Sequence, residues 1–214
     1  MKKALTIGEL LVTIAIIGII ATLVLPGFMQ DYNRKIYVTH LKKMTEMIEA
    51  AVTQACTDNN VSYFYQTPYA TTNGDLQKEF IEKYFKTMGS NNISQTYGAI
   101  NTDSSKAETF TNTLSGGEYL IMRCNNDKTD CVFTMDINGK NAPNIGGRDA
   151  FVITLSTKDN KLYGANPEKC GGNLRSATES EEDYKNRMKT STTYSTNGAG
   201  CYEHIVRDNW EMKY

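Results

Sequence analysis

The sequence has almost nothing with which to build a catalytic site. It holds two histidines, His40 and His204, and neither has a Ser or Cys beside it in a triad-like string. It contains no glycine-rich phosphate loop, no HExxH string and no CxxC pair. Gly116-Gly117-Glu118 is too short for a nucleotide fingerprint. No enzymatic activity is expected of such a chain. A surplus of charge is missing as well. Lys and Arg number 23 against 24 Asp and Glu, for a net charge of −1. That balance gives no electrostatic footprint for a nucleic acid, so no nucleic-acid partner is expected.

One further absence is local. From Leu10 to Met29 no residue carries a charge, and nearly all are aliphatic. Twenty such residues at 1.5 Å rise span about 30 Å, the thickness of a bilayer's hydrocarbon core. Beyond Gln30 the chain turns polar, rich in Asn, Thr, Ser, Tyr and Lys. The pattern is an apolar rod joined to a soluble head. A cleaved secretory signal fits poorly, because the run is too long and ends in Leu23-Val24-Leu25-Pro26-Gly27 without a small-x-small cleavage site. A plain signal-anchor is the other ordinary reading.

Glu9 weighs against both. It stands at the edge of the apolar run, where an ionised carboxylate costs about 2.5–3.5 kcal/mol on insertion scales. No cation lies within a helical turn upstream, since Lys2 and Lys3 are six or seven residues away. The string from Met1-Lys2-Lys3-Ala4-Leu5-Thr6-Ile7-Gly8-Glu9-Leu10 to Ala21 resembles the processing signal of type IV prepilins and type II secretion pseudopilins. That family has a short basic leader, a small residue before the cut, a hydrophobic first mature residue, Thr second and Glu fifth. On this resemblance Ala4 ends the leader and Leu5 begins the mature chain, where the family's usual Gly and Phe would stand. Residues 1–4 are then a leader, and 5–56 a long helix whose part 5–29 forms the membrane and filament core. Residues 57–214 form a globular head.

The resemblance implies a structural subunit of a type IV pilus or pilus-like filament. It would be made as a prepilin in the inner membrane with its head outside the cytoplasm. Prepilin peptidase would cut it and methylate Leu5, and inner-membrane machinery would polymerise it with copies of itself or related subunits. The Leu5 ammonium would pair with Glu9 of an adjacent subunit, relieving two burial penalties and fixing register. Pro26 falls where many members carry a helix-perturbing Pro, and Pro26-Gly27 predicts a kink. A pseudopilin driving protein export is the alternative within the class. A membrane-anchored binding module that never polymerises is the alternative outside it. Losing two leader lysines takes the charge from −1 to −3, which gives no support to a DNA-binding role.

Past the kink, Tyr37, Leu41, Met44, Ile48, Val52 and Ala55 recur at spacings of three and four, an amphipathic stripe suited to packing on a sheet. Lys35, Lys42, Lys43, Glu46 and Glu49 take the opposite face, and His40 is expected to be solvated. Asp75 to Met88 predicts a helix stopped by Gly89, and Ser90 to Leu114 reads as loop. Strands are predicted at 118–124, 130–136, 150–156 and 161–165, the last two joined through Thr157-Lys158-Asp159-Asn160. Thr178 to Lys189 predicts a helix with a Thr178–Glu181 capping box, and the tail from Cys201 an edge strand. The expected fold is α+β: one long helix, its apolar half protruding, packed on an antiparallel sheet of about four strands. This is also the pilin fold.

Five cysteines leave at least one unpaired or intermolecular in an oxidising compartment. Cys124 and Cys131 flank six mostly turn-forming residues between two predicted strands, so a bridge across a hairpin is expected. Cys170 and Cys201 enclose a charged section poor in apolar residues. A bridge there resembles the disulfide-bounded loop of many pilins, and leaves Cys56 as a buried free thiol. Asp136, Asn138 and Asp149 offer oxygens of the kind calcium takes, and some pseudopilins bind calcium in a C-terminal loop. The spacing is not an EF-hand, however, and a turn between strands is the expectation adopted, with no cofactor.

Overall fold

The computed structural model describes residues 6–89 and 92–214. The chain divides into two compact units, residues 1–36 and 37–214. One helix, α1 (Ile7–Asp58), supplies the first unit and opens the second. It continues through Pro26, which lacks the N–H that a helix interior uses.

In the second unit α1 buries Val38, Leu41, Met44, Thr45, Ile48, Ala51, Val52, Ala55 and Cys56, a stripe at helical spacing. Leu41, Met44 and Ile48 are wholly buried, each contributing about 1.5–3 kcal/mol by leaving water. A 3-10 turn at Phe64–Gln66 and the helix α2 (Gly74–Tyr84) follow. Asn73 caps α2 by accepting from the Asp75 amide at 2.9 Å. Phe80 and Ile81 are its buried apolar residues. The predicted helix runs four residues too far: 87–89 form a strand, and Met88 is 73% exposed.

The strands are β1 (Thr87–Gly89), β2 (Ile93–Ala99), β3 (Ser105–Phe110), β4 (Asn112–Leu114), β5 (Tyr119–Cys124), β6 (Asp130–Asp136), β7 (Ile145–Gly146), β8 (Ala150–Ser156) and β9 (Lys161–Tyr163). They form one sheet in the order β1-β4-β5-β6-β8-β7-β2-β3, with β9 also on β8. All pairings are antiparallel except those of β7 with β2 and β8. The fold is therefore α+β, a long apolar N-terminal helix on a mostly antiparallel sheet. Among the described residues the sheet has nine strands rather than about four.

Alternation along the central strands separates two cores. Leu120, Met122, Phe133, Met135, Phe151, Ile153 and Leu155 join the α1 stripe in the larger. Tyr119, Ile121 and Ala150 meet Tyr97, Phe110 and Ile93 in a smaller one. The second core corrects the reading of 90–114 as loop. The polar composition is that of a hairpin, β2–β3, with few inward apolar residues and an otherwise exposed surface.

Two further helices close the head. In α3 (Glu181–Thr190) the cap is Ser180, which accepts from the Asp183 amide at 3.1 Å, and not Thr178. Glu181 sits in the first turn and pairs with Lys185 and Lys213, both at 3.2 Å. The expected C-terminal edge strand is instead α4 (Cys201–Arg207) followed by a strap. Cys201, Tyr202, His204 and Ile205 are buried, at spacings of one, three and four that suit a helix and not a strand. The strap ends with Tyr214 buried and its hydroxyl donating to the Gly147 carbonyl at 2.8 Å.

Candidate functional site

Within the first unit, residues 6–30 are all exposed except the half-buried Ala21. Ile7 is 79% and Leu23 77% accessible. A soluble protein buries such side chains, at a gain of about 25 cal/mol per Å² of apolar surface. Here they form a helix long and apolar enough to cross a membrane. What it offers chemically is apolar area for lipid or for another helix.

Glu9 marks the head of this surface. Its Oε2 accepts from the Thr6 backbone amide and from the Thr6 hydroxyl, both at 2.9 Å. The Glu9 amide donates back to Thr6 Oγ1 at 3.2 Å. This reciprocal pattern is a capping box, Thr6-x-x-Glu9, satisfying amides that a helix start leaves without partners. The sequence carries that signal plainly, yet the resemblance draws attention to Glu9 as a charge rather than as a cap. Ala4 and Leu5, the expected cleavage and methylation positions, lie outside the described residues. Pro26 and Gly27 lie inside α1, and a Cβ built on Gly27 meets nothing within 4 Å.

The calcium candidates form a different kind of site. Asp136 and Asp149 are wholly buried. Asp136 accepts from the Asn138 and Gly139 amides at 3.1 and 2.8 Å and from the Tyr97 hydroxyl. Asp149 accepts from the Asn144 and Ile145 amides at 2.7 and 2.6 Å. Burial, reinforced by Asp149, pushes Asp136 up to about 7, and burial also raises Asp149. Each carboxylate oxygen thus already faces an N–H or O–H donor. The buried Oδ1 atoms of Asn138 and Asn144 have no hydrogen-bond partner, but two amide oxygens fall short of the six to eight ligands calcium takes. The residues do not fit the ion. They fit a pair of anchors holding the loop 136–149 to the sheet.

Cys124–Cys131 joins directly paired residues of β5 and β6. Cys170–Cys201 ties the segment before α3 to α4, and Cys56 is a buried free thiol. Burial raises the Cys56 pKa, which keeps the thiol protonated and unreactive. His40 is exposed, with Nδ1 3.3 Å from the Ile137 carbonyl. His204 is buried, a placement its sequence neighbours do not signal. Its Nδ1 meets the Tyr184 hydroxyl at 2.9 Å, and its Nε2 the Pro167 and Gly172 carbonyls at 2.9 and 3.2 Å. With Nε2 donating, the ring clasps the segment before α3, and burial lowers its pKa.

The architecture is pilin-like: an apolar N-terminal helix whose second part packs on an antiparallel sheet. Comparison with known proteins finds no matching family model, no similar curated protein and no similar solved structure. The membrane-capable helix and the two disulfides together fit a membrane-anchored protein with its head in an oxidising, extracytoplasmic compartment.

Proposed function

We propose that the chain is a structural subunit of a type IV pilus or pilus-like filament. It is made as an inner-membrane prepilin, cut between Ala4 and Leu5, N-methylated on Leu5 and polymerised. Its role is structural rather than catalytic. Its partners are other subunits, the prepilin peptidase and methyltransferase, and the inner-membrane assembly machinery. The observation that carries this reading is the joint presence of an exposed apolar helix and a carboxylate at its head. An anchor needs the first; of the second it needs only the helix cap, which Gln would supply without placing a charge beside the apolar run. The Thr6 cap supports the scheme further. It holds the carboxylate in a defined place at the helix start, where the ammonium of an adjacent subunit would be met.

Mass spectrometry of the intact protein from its native host tests the reading. The expected mass corresponds to a chain beginning at N-methyl-Leu5. A chain that keeps Met1 through Ala4, or that begins downstream of Glu9, would overturn it.

A further inference from the structure

The sheet's path ends at β3, and among the described strands none pairs with the far edge of β3. The Ala99 amide donates to the Ser104 carbonyl at 3.0 Å, which sets the phase of the β2–β3 ladder. By alternation, residues 106, 108 and 110 turn their backbone groups toward β2. Ser105, Ala107 and Thr109 turn theirs outward. Their side chains are small and exposed, so nothing bulky shields the open row of amides and carbonyls. Such an edge is a template for another strand, and proteins usually guard it with charge.

The charges here do not guard it uniformly. Lys106 and Glu108 lie two apart on the same strand face, their charged ends 3.8 Å apart, and Glu108 also pairs with Arg123 of β5. Consider two copies of β3 side by side, antiparallel, about a two-fold axis through Ala107. Ala107 then faces the partner's Ala107, and Ser105 faces the partner's Thr109. These are the residues with outward backbone groups, so about six hydrogen bonds close the seam. Lys106 faces the partner's Glu108, and Glu108 the partner's Lys106, at the closely spaced positions where side chains meet best. Moving the axis to Lys106 sets lysine against lysine, and moving it to Glu108 sets glutamate against glutamate. A parallel in-register pair does both.

We propose that the β3 edge is a homotypic contact surface that joins the heads of two copies in antiparallel register on Ala107. The occupant is a second copy of this chain, selected by the Lys106–Glu108 alternation. Neighbours along a helical filament are related by a screw operation and not by a two-fold. The contact is therefore not one between neighbours along such a filament. It does not depend on the assembly reading above, because it concerns the head alone.

The test uses the full chain in membranes and in detergent micelles. Ala107→Cys places two thiols on the axis with Cα atoms about 5.5 Å apart, within disulfide range. Mild oxidation is expected to yield a covalent dimer on a non-reducing gel. Thr109→Cys, whose two copies lie about 13 Å apart along the seam, is expected to yield none. Adding Lys106→Glu to Ala107→Cys should cut the dimer several-fold, and adding Glu108→Lys as well should restore it. In the unmodified protein, the Ser105, Ala107 and Thr109 amides should gain exchange protection as concentration rises. No dimer from an Ala107→Cys thiol that alkylation shows to be accessible would overturn the proposal. So would equal yield from Thr109→Cys, indifference to the charge reversal, or protection independent of concentration.

Discussion

Removing the Cys170–Cys201 bridge should cost the head more than removing Cys124–Cys131. The first closes a loop of sequence separation 31 and the second one of 7. Loop-closure entropy gives about 3.7 kcal/mol for the longer and about 2.4 for the shorter at 25 °C. The surroundings widen the gap. Cys124 and Cys131 face each other in the β5–β6 ladder, which persists without the bond. Cys170 lies in no strand ladder and has only an isolated bridge to Tyr194, within the loop it closes; that loop holds α3, whose buried side chains are Tyr184 and Met188. Gly147 packs so close to Cys201 that a Cβ there would lie 2.5 Å from its sulfur. The double variants Cys170→Ser/Cys201→Ser and Cys124→Ser/Cys131→Ser should therefore lower Tm by about 7–15 °C and about 5–10 °C respectively. Trp210 is the chain's one tryptophan and packs edge-on against Tyr202 of α4. Its fluorescence in the detergent-solubilised full chain reports on this region during melting. A larger loss from the short-loop variant would refute the reasoning, as would an unchanged Tm in the long-loop variant.

Glu9→Ala should leave membrane insertion intact or improved, because a carboxylate worth about 2.5–3.5 kcal/mol of insertion cost is gone. Filaments sheared from cells of that variant should be absent while the membrane fraction stays full; normal filaments would end the register hypothesis. Ala4→Leu should block processing and leave a precursor heavier by the four leader residues on mass spectrometry, and an unchanged mature mass would place the cut elsewhere. The pH dependence of head stability should have two limbs, read as denaturation midpoint against pH. Asp136 is raised from 3.8 to about 7, so its contribution is full below pH 3.8 and is lost as pH rises to about 7. His204 is lowered from 6.5, so its contribution is full above pH 6.5 and is lost as pH falls through the depressed value. Asp136→Asn should shrink the first limb, to which the raised Asp149 also contributes, and His204→Gln should remove the second; a profile unaltered by either would discount these groups. Phe133→Ala, emptying a wholly buried site that faces Phe80, should cost about 3–5 kcal/mol in the same melts.

The long helix was legible because its two signals are local and strong: a charge-free run, then a stripe repeating every three or four residues. β5, β6 and β8 were legible because both their faces are buried, which calls for dense β-branched and aromatic sequence. β2 and β3 were not. One face of their hairpin meets only a small core through Tyr97, Phe110 and Ile93, so composition alone resembled a loop. α4 was misread as a strand because seven residues carry little periodic signal. The Tyr97–Asp136 bond spans residues far apart in the chain, and no local pattern announces it.

At the candidate site the sequence singled out residues and left their arrangement hidden. Thr6 illustrates the difference. As the second residue of a mature chain it reads as a family habit, but in space its amide and hydroxyl both hold the Glu9 carboxylate. Under the proposed function that contact would serve two stages. With the helix in lipid, two charge-assisted hydrogen bonds would replace water that the apolar surroundings lack, easing the penalty on Glu9. They are local to one helical turn and need no second chain. They also leave the carboxylate acceptor capacity, since each oxygen takes more than one donor and both bonds use Oε2 alone. An ammonium from an adjacent subunit can then be met by Oε1 without first breaking the cap. The capping box and the proposed register pairing are therefore compatible uses of one side chain.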